Sequence, residues 1–180
     1  MNIIYKIKDG KGYVKEYDSN HILIFDGEYL NGERNGKGKE YNFDDKLIYE
    51  GEYLNGERWN GRFKQYNYDG KLIFVGTYLS GQIKRKGKEY NSDGKLIYEG
   101  EYLNNQRNGN GKEFDNAGKL IYEGEYLNGN RNGKGKEYGY GELIFEGEYL
   151  NGKKWNGKGK EYYDNGELKF EYLNGERKEN

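Results

Sequence analysis

Apolar and polar positions alternate along this chain in short bursts, each closed by a pair of turn-forming residues. The stretch Leu47-Ile-Tyr-Glu-Gly-Glu-Tyr-Leu54 is followed by Asn55-Gly-Glu-Arg58, and close copies recur down the sequence. Their key tyrosines are Tyr29, Tyr53, Tyr78, Tyr102, Tyr126, Tyr149 and Tyr172, spaced 23 to 25 residues apart. A period that short fits one supersecondary unit and leaves no room for a pair of helices. Alternation with a period of two predicts strands. The recurring glycines argue against helix, since each would cost one roughly 1 kcal/mol.

Two kinds of turn signal separate the strands. Asn31-Gly32, Asn55-Gly56, Asn128-Gly129, Asn151-Gly152 and Asn174-Gly175 mark one end of the unit, and Asp69-Gly70, Asp93-Gly94 and Asn165-Gly166 the other. Such pairs tolerate positive φ at both centres of a type I′ turn, whose twist suits antiparallel strands. A two-residue turn at Asp93-Gly94 would place Tyr90 opposite Ile97 and Lys88 opposite Glu99. The same count about Asp44-Asp45 sets Tyr41 against Ile48, Lys39 against Glu50 and Lys37 against Glu52. One face then carries a ladder of opposite charges that fixes register. The other face takes Tyr49, Gly51 and Tyr53 with Gly36 and Gly38 from the partner strand, so a ring can lie in the slot the glycines leave. The expected fold is all-β, an elongated single-layer antiparallel sheet of tandem β-hairpins. It spans 1–180 as one array of about seven units, with 174–180 a polar tail that blunts the last edge.

Composition agrees with a thin sheet. Hydrophobic residues are 33% of the chain, and tyrosine, at 21 copies, outnumbers every other aromatic type. Amphipathic rings suit a half-solvated face better than a thick core. Thirty basic and 31 acidic residues give a net charge of −1, which points away from nucleic acid as a partner. With no cysteine and one histidine, His21, no metal site or cofactor is expected. The short apolar patch Ile3-Ile4-Tyr5, interrupted by Lys6, is too short for a signal-peptide core or membrane span. We read the protein as cytoplasmic, with peripheral membrane contact as the alternative.

Tyr49-Glu-Gly-Glu-Tyr-Leu-Asn-Gly-Glu-Arg58 and Asn132-Gly-Lys-Gly-Lys-Glu-Tyr138 resemble MORN repeats, whose usual pattern is Tyr-x-Gly-x-Trp/Tyr-x-x-Gly-x-x-x-Gly-x-Gly. The Lys-Glu-Tyr strand with an Asn/Asp-Gly turn is similar to the variant in bacterial antitoxin-like MORN proteins. The resemblance covers nearly the whole chain and implies an open, twisted antiparallel sheet. It also implies scaffolding and protein association, contact with acidic phospholipids, or neutralisation of a toxin partner, and it brings no shared catalytic residue. The pattern departs at Val75-Gly-Thr-Tyr78, at Ser80-Gly-Gln-Ile-Lys-Arg-Lys86, at Asn105 in place of a turn glycine, and in the shortened last unit.

Residues that superficially suggest chemistry read better as structure. Glu50 and Glu52 recur as Glu99 and Glu101, Glu123 and Glu125, and Glu146 and Glu148. A catalytic pair needs one desolvated environment, which identical copies in a wet ladder do not supply. His21 near Asp18 and Ser19 cannot line up a triad on one extended segment, so it reads as a turn histidine. Gly36-Lys-Gly-Lys39 lacks the strand-loop-helix setting of a phosphate loop. Lys84, Arg85, Lys86, Lys88, Lys134, Lys136, Lys158 and Lys160 could meet lipid phosphates, yet the ladder sets Glu across from most of them. The expectation is a non-enzymatic scaffold that binds an unknown protein partner through its sheet surface. Acidic phospholipid binding and toxin neutralisation are the alternatives. Candidate contact residues are Trp59 and Trp155, each an insertion in a loop between hairpins, and the tyrosine row Tyr29, Tyr53, Tyr78, Tyr102, Tyr126 and Tyr149.

Overall fold

The computed structural model describes residues 2–83, 86–163 and 166–179. They fall into two compact units, Met1–Lys84 and Arg85–Asn180. The division lies in Ser80 to Lys86, where the repeat sequence departs from its pattern and the strands are shortest. The first unit runs β1 (Asn2–Lys8), β2 (Lys11–Tyr17), β3 (Leu23–Leu30), β4 (Glu33–Tyr41), β5 (Leu47–Leu54), β6 (Glu57–Tyr66), β7 (Leu72–Leu79) and β8 (Gln82–Ile83). The second runs β9 (Gly87–Tyr90), β10 (Leu96–Leu103), β11 (Gln106–Phe114), β12 (Leu120–Leu127), β13 (Asn130–Gly139), β14 (Glu142–Leu150), β15 (Lys153–Tyr163), β16 (Gly166–Leu173) and β17 (Glu176–Glu179). Within each unit every strand pairs antiparallel with the next, so each is an open sheet of successive hairpins. The described residues contain no helix. Residues 176–179 of the expected polar tail pair as β17 with Phe170–Leu173. At the other end the hairpin of β1 and β2 turns at Asp9-Gly10, a unit the tyrosine count overlooks.

The two turn classes differ more than their sequences suggest. At Asn31-Gly32, Asn55-Gly56, Asn128-Gly129, Asn151-Gly152 and Asn174-Gly175 both residues have positive φ, as a two-residue type I′ turn requires. Asn105 fills the glycine position of its turn with φ 62°. On the opposite side Tyr140-Gly141 is also of this type, but the turns that begin at Asp18, Asn42, Asn67, Asn91 and Asp115 are not. At Asp93-Gly94 only the glycine has positive φ, the Gly94 amide donates to the Asn91 carbonyl at 2.9 Å, and the Asn91 amide donates to the Lys95 carbonyl at 2.9 Å. This is a three-residue loop, a type I turn closed by a left-handed residue. The extra residue moves the adjacent pairing by one: Tyr90 faces Leu96, and Tyr41 faces Leu47, rather than Ile97 and Ile48. A bulge absorbs the shift, and Lys88 still pairs with Glu99, Lys39 with Glu50 and Lys37 with Glu52. The residue that sets this turn is the Asx at its start. Asn91 Oδ1 accepts from the amides of Asp93 and Lys95, both at 3.0 Å, and Asp18, Asn42 and Asp115 do the same in their turns.

The core is a row of rings on one face of each sheet. Phe25, Tyr49, Tyr98, Tyr122 and Phe145 are fully buried. Under them lie paired glycines. A Cβ on Gly51 would meet the Gly61 Cα and the Tyr49 hydroxyl, and one on Gly124 would meet the Gly135 Cα and the Tyr122 hydroxyl. The glycines are therefore seats, and the ring of each hairpin occupies volume that a side chain would otherwise take. Neighbouring hairpins meet edge to face: Phe25, Tyr53, Tyr49, Tyr78 and Phe63 form one chain with centroids 5.1 to 5.7 Å apart. Tyr98, Tyr126, Tyr122, Tyr149 and Phe145 form another at 5.2 to 5.5 Å. Backbone bonds add to this, as the Gly56 amide donates to the Arg34 carbonyl and the Gly129 amide to the Arg107 carbonyl, each at 2.9 Å.

Candidate functional site

Alternation gives the two faces different contents, and the ring face is closed over by its own polar groups. Glu16, Glu40, Glu89 and Glu113 each accept from the tyrosine of the next hairpin and from one or two arginines. Tyr53 donates to Glu40 at 2.8 Å, and Arg34 reaches Glu40 at 2.9 Å while its Nε and Nη2 grip Glu16, each at 2.9 Å. Arg58 takes the other Glu40 oxygen. In the second unit Arg107 spans Glu89 and Glu113, and Arg131 and Tyr126 also bond Glu113. Each guanidinium also covers a ring: Arg34 stands 4.2 Å from the Phe25 centroid, Arg107 4.0 Å from Tyr98 and Arg131 4.1 Å from Tyr122.

This network sets the ionisation of its members. Burial alone would raise the Glu16 carboxyl, but hydrogen bonds from Arg34 and Tyr29 and the Arg34 charge outweigh it and hold it below its ordinary value. Glu89 and Glu113 are held down in the same way, against the same opposing burial. Burial pushes the Tyr49 and Tyr122 hydroxyls up to about 12, and burial with the hydrogen bond to Glu16 does the same for Tyr29. All three carboxylates are charged and all three hydroxyls neutral near pH 7. Each of these groups is committed to holding hairpins together.

The opposite face is open. Lys39 and Glu50 pair at 3.1 Å, Lys88 and Glu99 at 3.1 Å, and Lys136 and Glu146 at 3.4 Å, all well solvated. In each unit a row of leucines, one per hairpin, runs between this ladder and the Asn-Gly type turns. Leu54, Leu79, Leu103, Leu127, Leu150 and Leu173 are exposed by 40 to 54%. In β12, Tyr122, Gly124 and Tyr126 face the rings, whereas Glu123, Glu125 and Leu127 face outward. Sequence reasoning missed this row because leucine beside a key tyrosine reads as core. The parity of the strand is the signal that would have found it.

The expected contact residues separate. Tyr53, Tyr102, Tyr126 and Tyr149 are buried at 3 to 7% exposure, and Tyr29 and Tyr78 are half-buried in the same ring row. Trp59 and Trp155 lie inside β6 and β15, at bulges opposite Tyr53 and Tyr149, and not in loops as expected. The hairpin turn is complete at Asn55-Gly56, so the extra residue falls within the strand. Both indoles are half-buried against the turn of the following hairpin, Trp59 beneath Gly81 and Trp155 beneath Gly175. His21 is exposed at the end of the Asp18 turn, with φ 64°. Lys84, Arg85 and Asn165 lie outside the described residues. A shallow pocket of about 330 Å³ in the second unit has Glu146 and Glu171 in its wall, and these pair with Lys136 and Lys158. Among the described residues no three metal-ligating side chains gather, and no helix is long and apolar enough to cross a membrane.

The MORN repeat family matches the chain at residues 25–44, 98–118, 122–141 and 145–167. No curated protein matches it. Each matched stretch holds a ring-bearing strand of the buried row, and the first three reach into or through the turn that follows the Lys-Glu-Tyr or equivalent strand. MORN repeats are commonly non-catalytic scaffolds that bind proteins or membranes. Strand order, hairpin succession, paired glycines and the sequence match agree, and the chain carries MORN repeats at these four stretches.

Proposed function

We propose that this protein is a non-enzymatic scaffold that binds a protein partner on the open face of its sheets. The observation that carries the reading is the leucine row. These side chains stand half in water, once per hairpin, where the fold needs nothing apolar, and they sit beside a charge ladder that can set orientation. The aromatic row supports the reading indirectly, since its rings and charges are taken up in joining neighbouring hairpins. Trp59 in the first unit and Trp155 in the second each lie against a turn at the leucine edge of their own sheet, and each is a proposed anchor there.

Replacing Leu103, Leu127 and Leu150 together with Ser, and separately Trp59 and Trp155 with Ala, tests this by affinity capture from the source cells. The reading expects a protein recovered by wild type to be lost from the leucine variant and reduced in the tryptophan variant. Full recovery by both would overturn it. Sedimentation with anionic vesicles that weakens with salt would favour the lipid reading instead. The pairing of ladder lysines with glutamates argues against that outcome.

A further inference from the structure

Phe43 and Tyr68 are exposed aromatic side chains in turns that form equally well without a ring. Phe43 is 73% exposed and Tyr68 is fully exposed, and they occupy the same position in the three-residue turns of neighbouring hairpins. Ser19, Ser92 and Asn116 hold that position in the equivalent turns, which make the same backbone bonds. The turn thus forms without a ring. The pair is also held in place: the Lys46 ammonium donates to the Gly70 carbonyl at 2.6 Å, tying one turn to the next. The same ammonium lies over the Tyr66 ring of β6, 5.4 Å from its centroid. The residues that follow them in the same turns include Asp44, Asp45 and Asp69, all exposed. Asp44 reaches the neighbouring turn, its Oδ2 lying 3.8 Å from where a Gly70 Cβ would be.

We infer that Phe43 and Tyr68, with these carboxylates, form a docking edge for a basic peptide segment of a partner protein. Ring faces attract guanidinium and ammonium groups, and nearby carboxylates add charge complementarity. Spacing narrows the ligand further. Two strands separate the rings, about 10 Å. In a polyproline II segment, residues three apart lie on one side about 9 Å from each other. The fitting ligand is an extended segment with Arg or Lys at positions i and i+3. This rests on the protein-binding reading but uses a different edge from the leucine row, so either can fail alone.

The test is fluorescence anisotropy with a labelled Gly-Arg-Pro-Pro-Arg-Gly peptide against the full chain. Controls are the same peptide with Glu for Arg, and the Phe43→Ser/Tyr68→Ser variant, which places in both turns a residue that other turns of this fold already use. The expected result is saturable binding of the Arg peptide, none of the Glu peptide, and about tenfold weaker binding by the double variant with its circular dichroism unchanged. No saturable binding of the Arg peptide, or equal binding by the variant, would overturn the assignment. Partner capture lost with the leucine row but unaffected at this edge would retire this inference and leave the scaffold reading standing.

Discussion

At the residue scale, stability rests on glycines chosen for what lies over them and on turn residues chosen for φ. Tyr122 is fully buried over Gly124 and Gly135. Tyr122→Ala should therefore cost about 3–5 kcal/mol, as a cavity that the thin sheet cannot close, read from denaturant unfolding. Asn105 offers the reverse case, since it holds a left-handed conformation that glycine fills elsewhere. Asn105→Gly should stabilise by about 0.5 kcal/mol, raising the melting temperature measured by circular dichroism. The ring seats and the Asn-Gly turns were legible in the sequence because both are local: the seat is a period-two count and the turn a dipeptide. The three-residue turns were not, because their signal is the Asx at the start, as at Asn42 and Asn91, and Asp-Gly alone fits either geometry.

At the scale of the hairpin, the joint between neighbours is the carboxylate between two arginines. Arg107 bridges Glu89 and Glu113, which belong to successive hairpins. Arg107→Lys keeps the charge but loses the planar fork, and should destabilise the second unit by about 1–2 kcal/mol; comparable unfolding midpoints for the two proteins would contradict this. No period along the sequence exposes the joint. Tyr53 and Arg58 meet Glu40 across 13 and 18 positions, a match visible only once the hairpins are laid side by side. The cross-strand ladder, by contrast, was legible because its partners face each other across one turn.

For the molecule as a whole, the same groups define a pH window. Glu16, Glu89 and Glu113 have folded values lowered from 4.5, so their contribution is present above pH 4.5 and is lost as pH falls below it. Tyr29, Tyr49 and Tyr122 have values raised from 10.0 to about 12, so their contribution is full below pH 10 and is lost as pH rises from there toward 12. Thermal melts across pH should show a plateau between these limits. Tyrosinate absorbance should show a late class, from Tyr29, Tyr49 and Tyr122, that appears with loss of strand signal. A single early titration of all tyrosines would contradict the buried row.

The division of labour between faces is the claim on which fold and function both turn. Gly124 lies beneath a ring, whereas Leu127 points to water three residues along the same strand. Amide hydrogen exchange on Gly124→Ala and Leu127→Ser measures that division directly. The account predicts that Gly124→Ala strips protection from β12, β13 and the hairpins beside them, while Leu127→Ser leaves the wild-type pattern intact. Equal loss of protection in both variants, or loss in Leu127→Ser alone, would contradict it.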